Sequence, residues 1–106
     1  MSDRYILVEK EVHPVDLITW GEWLEMHNDD RIVKRDDING RFVSTVFLGL
    51  DHSFNGGQPL LFETMVFPSR TDMSEIYSDR CTTYSEAEAM HVKACDWVRS
   101  CEVPHV

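Results

Sequence analysis

The stretch from Arg41 to Phe67, RFVSTVFLGLDHSFNGGQPLLFETMVF, constrains this chain more than any other part of it. After Arg41 its only acidic or basic residues, histidine aside, are Asp51 and Glu63. Two runs rich in β-branched and aromatic residues, Phe42 to Leu50 and Leu60 to Phe67, flank a turn-forming segment from Asp51 to Pro59. Asn55-Gly56-Gly57 supplies the positive φ angles of a tight reversal, and Pro59 can open a strand but not sit inside one. A long β-hairpin is therefore predicted. With the turn centred on Asn55-Gly56, Leu48 falls opposite Glu63 and Val46 opposite Met65, although a slip of one residue would exchange the pairings. Phe42, Val46, Leu48 and Leu50 then share a face with Leu61, Met65 and Phe67. Val43, Phe47, Phe62 and Val66 share the other. Two apolar faces call for cover on both sides, by helices or by a partner chain, and the second route predicts a homodimer.

Three polar residues interrupt this apolar frame. Glu63 lies inside a strand, where it is either a carboxylate that reaches water or an arginine such as Arg41, or an acid/base or ligand group. Asp51 and His52 stand where the first strand ends. Asp51 suits turn chemistry, because a short carboxylate hydrogen-bonds nearby backbone N–H groups.

The flanking sequence supplies the remaining elements. Arg4 to Val12 reads as a strand ended by His13-Pro14. Val15 to about His27 reads as a helix with a buried stripe of Leu17, Trp20, Gly21 and Leu24, Gly21 allowing close approach to the sheet and Asn28 stopping the helix. Trp20 and Trp23 read as helix–sheet packing ahead of a binding platform. Arg31 to Lys34 reads as a short polar strand, and Asn39-Gly40 as the hairpin turn that pairs it with the start of the Arg41 run. Pro68 to Thr83 is polar and the least structured part, with a short strand around Ile76-Tyr77. A second helix begins at a capping box in which Ser85 caps and Glu88 closes it. Its apolar side holds Ala87, Met90, His91, Ala94, Trp97, Val98 and Cys101, and Pro104 ends it. Residues 1–106 then form a single α+β domain: a mainly antiparallel sheet of about four strands packed by two helices, in the order β-α-β-β-β-α.

Charge narrows the functions open to such a domain. Asp and Glu total 19 against 10 Lys and Arg, a net charge of −9. That argues against non-specific nucleic-acid binding, which needs a basic surface. It permits carboxylates on one face to imitate a phosphate backbone. No apolar run approaches the ~20 residues of a membrane span, and the N-terminus lacks the apolar core of a signal peptide, so a cytoplasmic protein is expected. Cys81, Cys95 and Cys101 are odd in number and without CxxC spacing, which predicts reduced thiols.

The polar set from which chemistry could be built is Asp51, His52, Glu63, Glu88 and His91. Imidazoles and carboxylates together bind divalent metals or move protons. Glu88 and His91 share a helix face, while His91 lies inside the apolar stripe and reads equally as a core-edge histidine. No HExxH, P-loop, GxSxG or dinucleotide-binding glycine pattern is present. No catalytic residue and no cofactor is assigned. Cys95 and Cys101 lie late in the helix, away from the positive end that activates a thiol.

STVFLGLDHSF (Ser44 to Phe54), PLLFETMVF (Pro59 to Phe67) and TYSEAEAMH (Thr83 to His91), with the Val15 to Trp23 region, resemble blocks in small proteins encoded by bacteriophages and prophages. The resemblance covers about two thirds of the chain. It implies a phage or prophage gene expressed in bacterial cytoplasm and carries over no catalytic residues. Three functions are compatible with these observations. The first is an acidic accessory protein that binds a host or phage protein and inhibits a nucleic-acid-handling or defence complex. The second is a metal-binding protein or metal-dependent enzyme using the histidine/carboxylate set. The third is a structural or assembly component of the virion.

Overall fold

Alternation along Arg41–Phe47 and Phe62–Phe67 sets the architecture. The computed structural model describes residues 3–53 and 56–101. Its main sheet has four antiparallel strands in sequence order, β3 (Ile32–Ile38), β4 (Arg41–Phe47), β5 (Phe62–Phe67) and β6 (Tyr77–Cys81). The α+β class and the four-stranded antiparallel sheet match the sequence reading. The element order does not match in two places. Arg4 to Val12 is not one strand but most of a separate hairpin of β1 (Tyr5–Val8) and β2 (Glu11–Pro14). Its turn residues Glu9 and Lys10 have φ of 50° and 70°, a left-handed pair without glycine or asparagine to announce it. The second difference is β6, a full edge strand where only a short piece around Ile76-Tyr77 was expected.

Asn39-Gly40 joins β3 to β4 as expected, with φ of 53° and 83°. Between β4 and β5 the register is Val46 opposite Glu63 and Ser44 opposite Met65, two residues from the expected pairing. An even slip preserves faces. Val43, Thr45 and Phe47 therefore lie with Phe62, Thr64 and Val66 on one side, and Phe42 and Val46 with Met65 and Phe67 on the other. The expected turn centre at Asn55 lies outside the described residues. The strands part earlier than the sequence suggests because Gly49 adopts φ of 82° and the chain turns off the sheet. A Cβ there would come within 3.2 Å of Trp20 Nε1, and that same indole N–H donates to the Gly49 carbonyl at 3.0 Å.

Helix α2 (Tyr84–Cys101) lies across the first face of the sheet. It buries Ala87, Met90, His91, Ala94 and Val98 as expected, together with Cys95. Trp97 is only half-buried, against Tyr77 with ring centroids 4.8 Å apart, and Cys101 is exposed. At one end of the sheet Trp23 packs edge-on to Phe47, bringing helix α1 (Leu17–Met26) and the β1–β2 hairpin onto the core. Asp16 caps α1 by accepting the Thr19 N–H at 2.8 Å. The predicted stripe on α1 is rotated: Trp23 is buried, Trp20 and Leu24 are half-buried, Leu17 is 57% exposed, and Gly21 meets nothing that a Cβ would touch. Asn28 does not end the helix in a left-handed conformation. It opens a 3-10 turn, Asn28–Arg31.

Among the described residues no helix covers the second sheet face. Phe42 and Phe67 are nonetheless buried, because the guanidinium of Arg70 stacks on Phe42 at 4.3 Å while donating to both oxygens of Asp37. Arg35 stacks more loosely on the same ring. A cavity of about 210 Å³ lies beneath, walled chiefly by Val46, Glu63, Met65 and Met73.

The capping box of α2 sits two residues upstream of the expected one. Thr83 Oγ1 accepts the Glu86 N–H at 3.1 Å, and Glu86 Oε1 accepts the Thr83 N–H at 3.0 Å. The Thr83 N–H, the Thr83 hydroxyl and the Thr82 N–H, all donating to Glu86 Oε1, hold that carboxyl below its usual value. Thr83→Ala is expected to cost about 1 kcal/mol in urea unfolding, whereas Ser85→Ala, which removes no such bond, stays within about 0.5 kcal/mol. The reverse order would place the cap at Ser85.

Candidate functional site

Beneath α2 lies a chain of four polar side chains inside the apolar core. Strand parity aims Thr45 of β4 and Thr64 of β5 at the helix, and their register sets them opposite each other. Their hydroxyls are 2.5 Å apart, and both residues are fully buried. Thr45 Oγ1 lies 2.7 Å from Nδ1 of His91, and Nε2 of His91 lies 2.8 Å from Asp36 Oδ2 on β3. His91 is only 2% exposed, while the Asp36 side chain reaches solvent at 37%. The chain thus runs from buried hydroxyls through one imidazole to a carboxylate at the surface. Buried polar groups are tolerated when each has a partner, and each of these has one.

One helical turn beyond His91, the buried thiol of Cys95 faces the same point. The donor atoms of Asp36, His91 and Cys95 all lie within 4.8 Å of one another, the one such group of three found among the described residues. Burial pushes the Cys95 thiol up, with Asp36 adding to the effect. Burial also pushes Cys81 up to about 11, with Glu86 and Asp79 adding. Neither is poised as a free nucleophile.

The five residues singled out from the sequence do not come together. Asp51 acts as a loop staple, with Oδ1 accepting the N–H groups of Ser53 and Leu60 at 2.8 and 3.0 Å. These bonds hold its carboxyl below the ordinary value, the Ser53 bond most of all. His52 is half-buried beside it, its backbone N–H bonded to the Leu60 carbonyl. Glu63 precedes Thr64 in β5 and so points to the opposite sheet face. There it accepts from Arg80 Nε at 2.8 Å rather than from Arg41. Glu88 is exposed on α2. His91 alone belongs to the buried chain, and its companions Asp36, Thr45 and Cys95 were missed. The i, i+4 spacing of His91 and Cys95 is visible in the sequence, but nothing local distinguishes Asp36 from its neighbour Asp37 or ties it to the helix.

A second feature concerns the surface. From Glu11 to Asp30 the chain carries Glu11, Asp16, Glu22, Glu25, Asp29 and Asp30, with no Lys or Arg, and all six carboxylates are exposed. Their close side-chain partners are histidines, with His27 Nδ1 2.8 Å from Asp30 and His13 Nε2 4.0 Å from Glu11. Ile18 and Met26 stand out of the same helix at 74% and 77% exposure. No helix among the described residues is long and apolar enough to cross a membrane.

Comparison with models of protein families, with curated proteins and with solved structures finds no match to this chain.

Two measurements test these assignments. Thr45→Val strands His91 Nδ1 and Thr64, and is expected to cost roughly 1–3 kcal/mol in urea unfolding. The Thr45→Val/Thr64→Val pair should cost less than the sum of the single changes, because it removes both ends of one bond. Stability contributed by Asp51 is present above the ordinary aspartate pKa and lost as pH falls through its depressed folded value. Asp51→Asn should therefore lower the urea midpoint at neutral pH and flatten its fall toward strongly acid pH; an unchanged slope would remove Asp51 from the loop's acid response.

Proposed function

We propose that this protein is a small acidic accessory protein of a phage or prophage, acting in the bacterial cytoplasm by binding another protein. Its docking surface is α1 with Asp29 and Asp30 of the 3-10 turn that follows, the Arg31 of that turn being engaged with the Phe47 and Leu48 carbonyls. The observation that carries this reading is the exposed run of carboxylates from Glu11 to Asp30, free of lysine and arginine and set beside exposed Ile18 and Met26. Charge complementarity specifies the occupant as a basic, phosphate-recognising groove of a nucleic-acid-handling or defence protein. There the carboxylates take the place of phosphates and the two apolar side chains supply dry contact. Such a surface speeds encounter electrostatically and makes affinity fall with salt.

The opposite sheet face, closed by Arg35, Arg70 and Met73, is where the expected homodimer would form. Light scattering on the purified chain decides between monomer and dimer. A role in the virion would instead place the protein in purified particles.

The test of the docking surface is a tagged pull-down from bacterial lysate at low and moderate salt, followed by affinity measurement on the captured protein. Glu22→Lys with Glu25→Lys should abolish binding, Glu75→Lys with Glu88→Lys should leave it nearly unchanged, and duplex DNA should compete. Binding that survives the first pair, ignores salt and is indifferent to DNA overturns the proposal.

A further inference from the structure

We propose that Asp36, His91 and Cys95 form a binding site for one divalent cation of the zinc class. The donor set is a carboxylate oxygen, an imidazole nitrogen and a thiol sulfur, all within 4.8 Å of one another. With zinc–nitrogen bonds of about 2.0–2.1 Å and zinc–sulfur bonds of about 2.3 Å, the donors of a tetrahedral site stand roughly 3.3–3.7 Å apart. Nε2 of His91 and Oδ2 of Asp36 are already at 2.8 Å. The ion needs that pair to open slightly and the thiol to close in. Both moves are local, since His91 and Cys95 are four residues apart on one helix and Asp36 reaches in from the edge strand β3.

Three features favour a cation here over a plain polar contact. The first is the arrangement behind the ligand. Metal-binding histidines are held by a hydrogen bond at the other ring nitrogen, which fixes tautomer and ring orientation. Nδ1 of His91 has that bond to Thr45, which is itself held by Thr64. Nε2 is then the nitrogen left to face Asp36. The second is the thiol. Cys95 is 5% exposed, and among the described residues no hydrogen bond to its sulfur is recorded. The third is access, because the Asp36 side chain is 37% exposed and so puts the outermost donor in contact with solvent.

The mixture of soft sulfur, imidazole and one carboxylate selects zinc, or cobalt as its spectroscopic substitute, over magnesium and calcium, which prefer all-oxygen sites. With three protein ligands the fourth position holds a water molecule or a small exogenous donor. The ion takes the lone pair of His91 Nε2, with the ring proton on Nδ1 toward Thr45, and the thiol proton of Cys95 leaves to solvent, so that the dication is balanced by one thiolate and one carboxylate. The charged neighbours of the thiol are Lys34 on β3 and Asp96 and Arg99 on α2. The two cations weaken the site and Asp96 supports it. This inference is independent of the docking surface on α1, which lies on a different element.

The test is titration of the chelator-treated, reduced full chain with cobalt(II), followed by displacement with zinc. One equivalent of cobalt should give a thiolate-to-metal charge-transfer band and the visible bands of a four-coordinate ion, and zinc should bleach both. Cys95→Ser should lose the charge-transfer band, while Cys81→Ser and Cys101→Ser keep it. Thr45→Val touches no ligand atom; it should keep the band and weaken binding roughly 10- to 100-fold. Circular dichroism of each variant without metal separates lost binding from lost folding, and Asp36→Asn, on the half-exposed ligand, gives an independent loss of affinity. No band in the folded wild-type protein, or a band that persists in Cys95→Ser, overturns the proposal.

Discussion

The structure depends on the two-residue period of β4 and β5 beneath a single long helix. Val43, Thr45 and Phe47 alternate against Phe62, Thr64 and Val66, and α2 meets them with small residues where it must come close and larger ones where space remains. Six central side chains thus face one helix, and every other element attaches around that contact. The same period turns two hydroxyl-bearing residues toward the core. Thr45 and Thr64 sit between apolar neighbours on the inward face, and their hydroxyls are tolerable only because His91 descends from the helix to meet them. A buried hydroxyl pair, an imidazole and a carboxylate at the surface are one consequence of one register.

The parts of this arrangement visible in the sequence were those set by local chemistry. Asn39-Gly40 announced its turn, the alternation of the central strands announced their faces, and the apolar side of α2 followed from helical spacing. A two-residue slip in register was harmless to the faces, which explains why they were correct when the pairing was not. Misread positions were those decided by tertiary contact. Glu9-Lys10 turns without any turn-type residue, so a hairpin looked like one strand. Trp23, not Leu17, is buried because α1 attaches by the end of the sheet and not across it. Thr83 caps α2 although Ser85-Glu88 has equally good spacing, since the choice rests on where β6 delivers the chain.

The candidate site was legible only as fragments. His91 stood out as a polar residue in an apolar stripe, but its partners come from β3 and β4, and no local pattern ties residue 91 to 36 or 45. Glu63 looked equally unusual, yet parity sends it to the other face, where Arg80 satisfies it. Two polar intruders with similar sequence signatures thus occupy opposite sides of one sheet, and only the three-dimensional pairing distinguishes a buried network from a surface ion pair.

The two outer strands of the main sheet have a further consequence. In β3 the sequence Lys34-Arg35-Asp36-Asp37, and in β6 Asp79-Arg80, place opposite charges side by side along both free edges. A free edge offers unpaired backbone groups to any extended chain that approaches. An added strand here would have to strip water from neighbouring cations and anions whose present arrangement it could not reproduce. Among the described residues the edges are thus defended against strand addition by charge and not by a further strand.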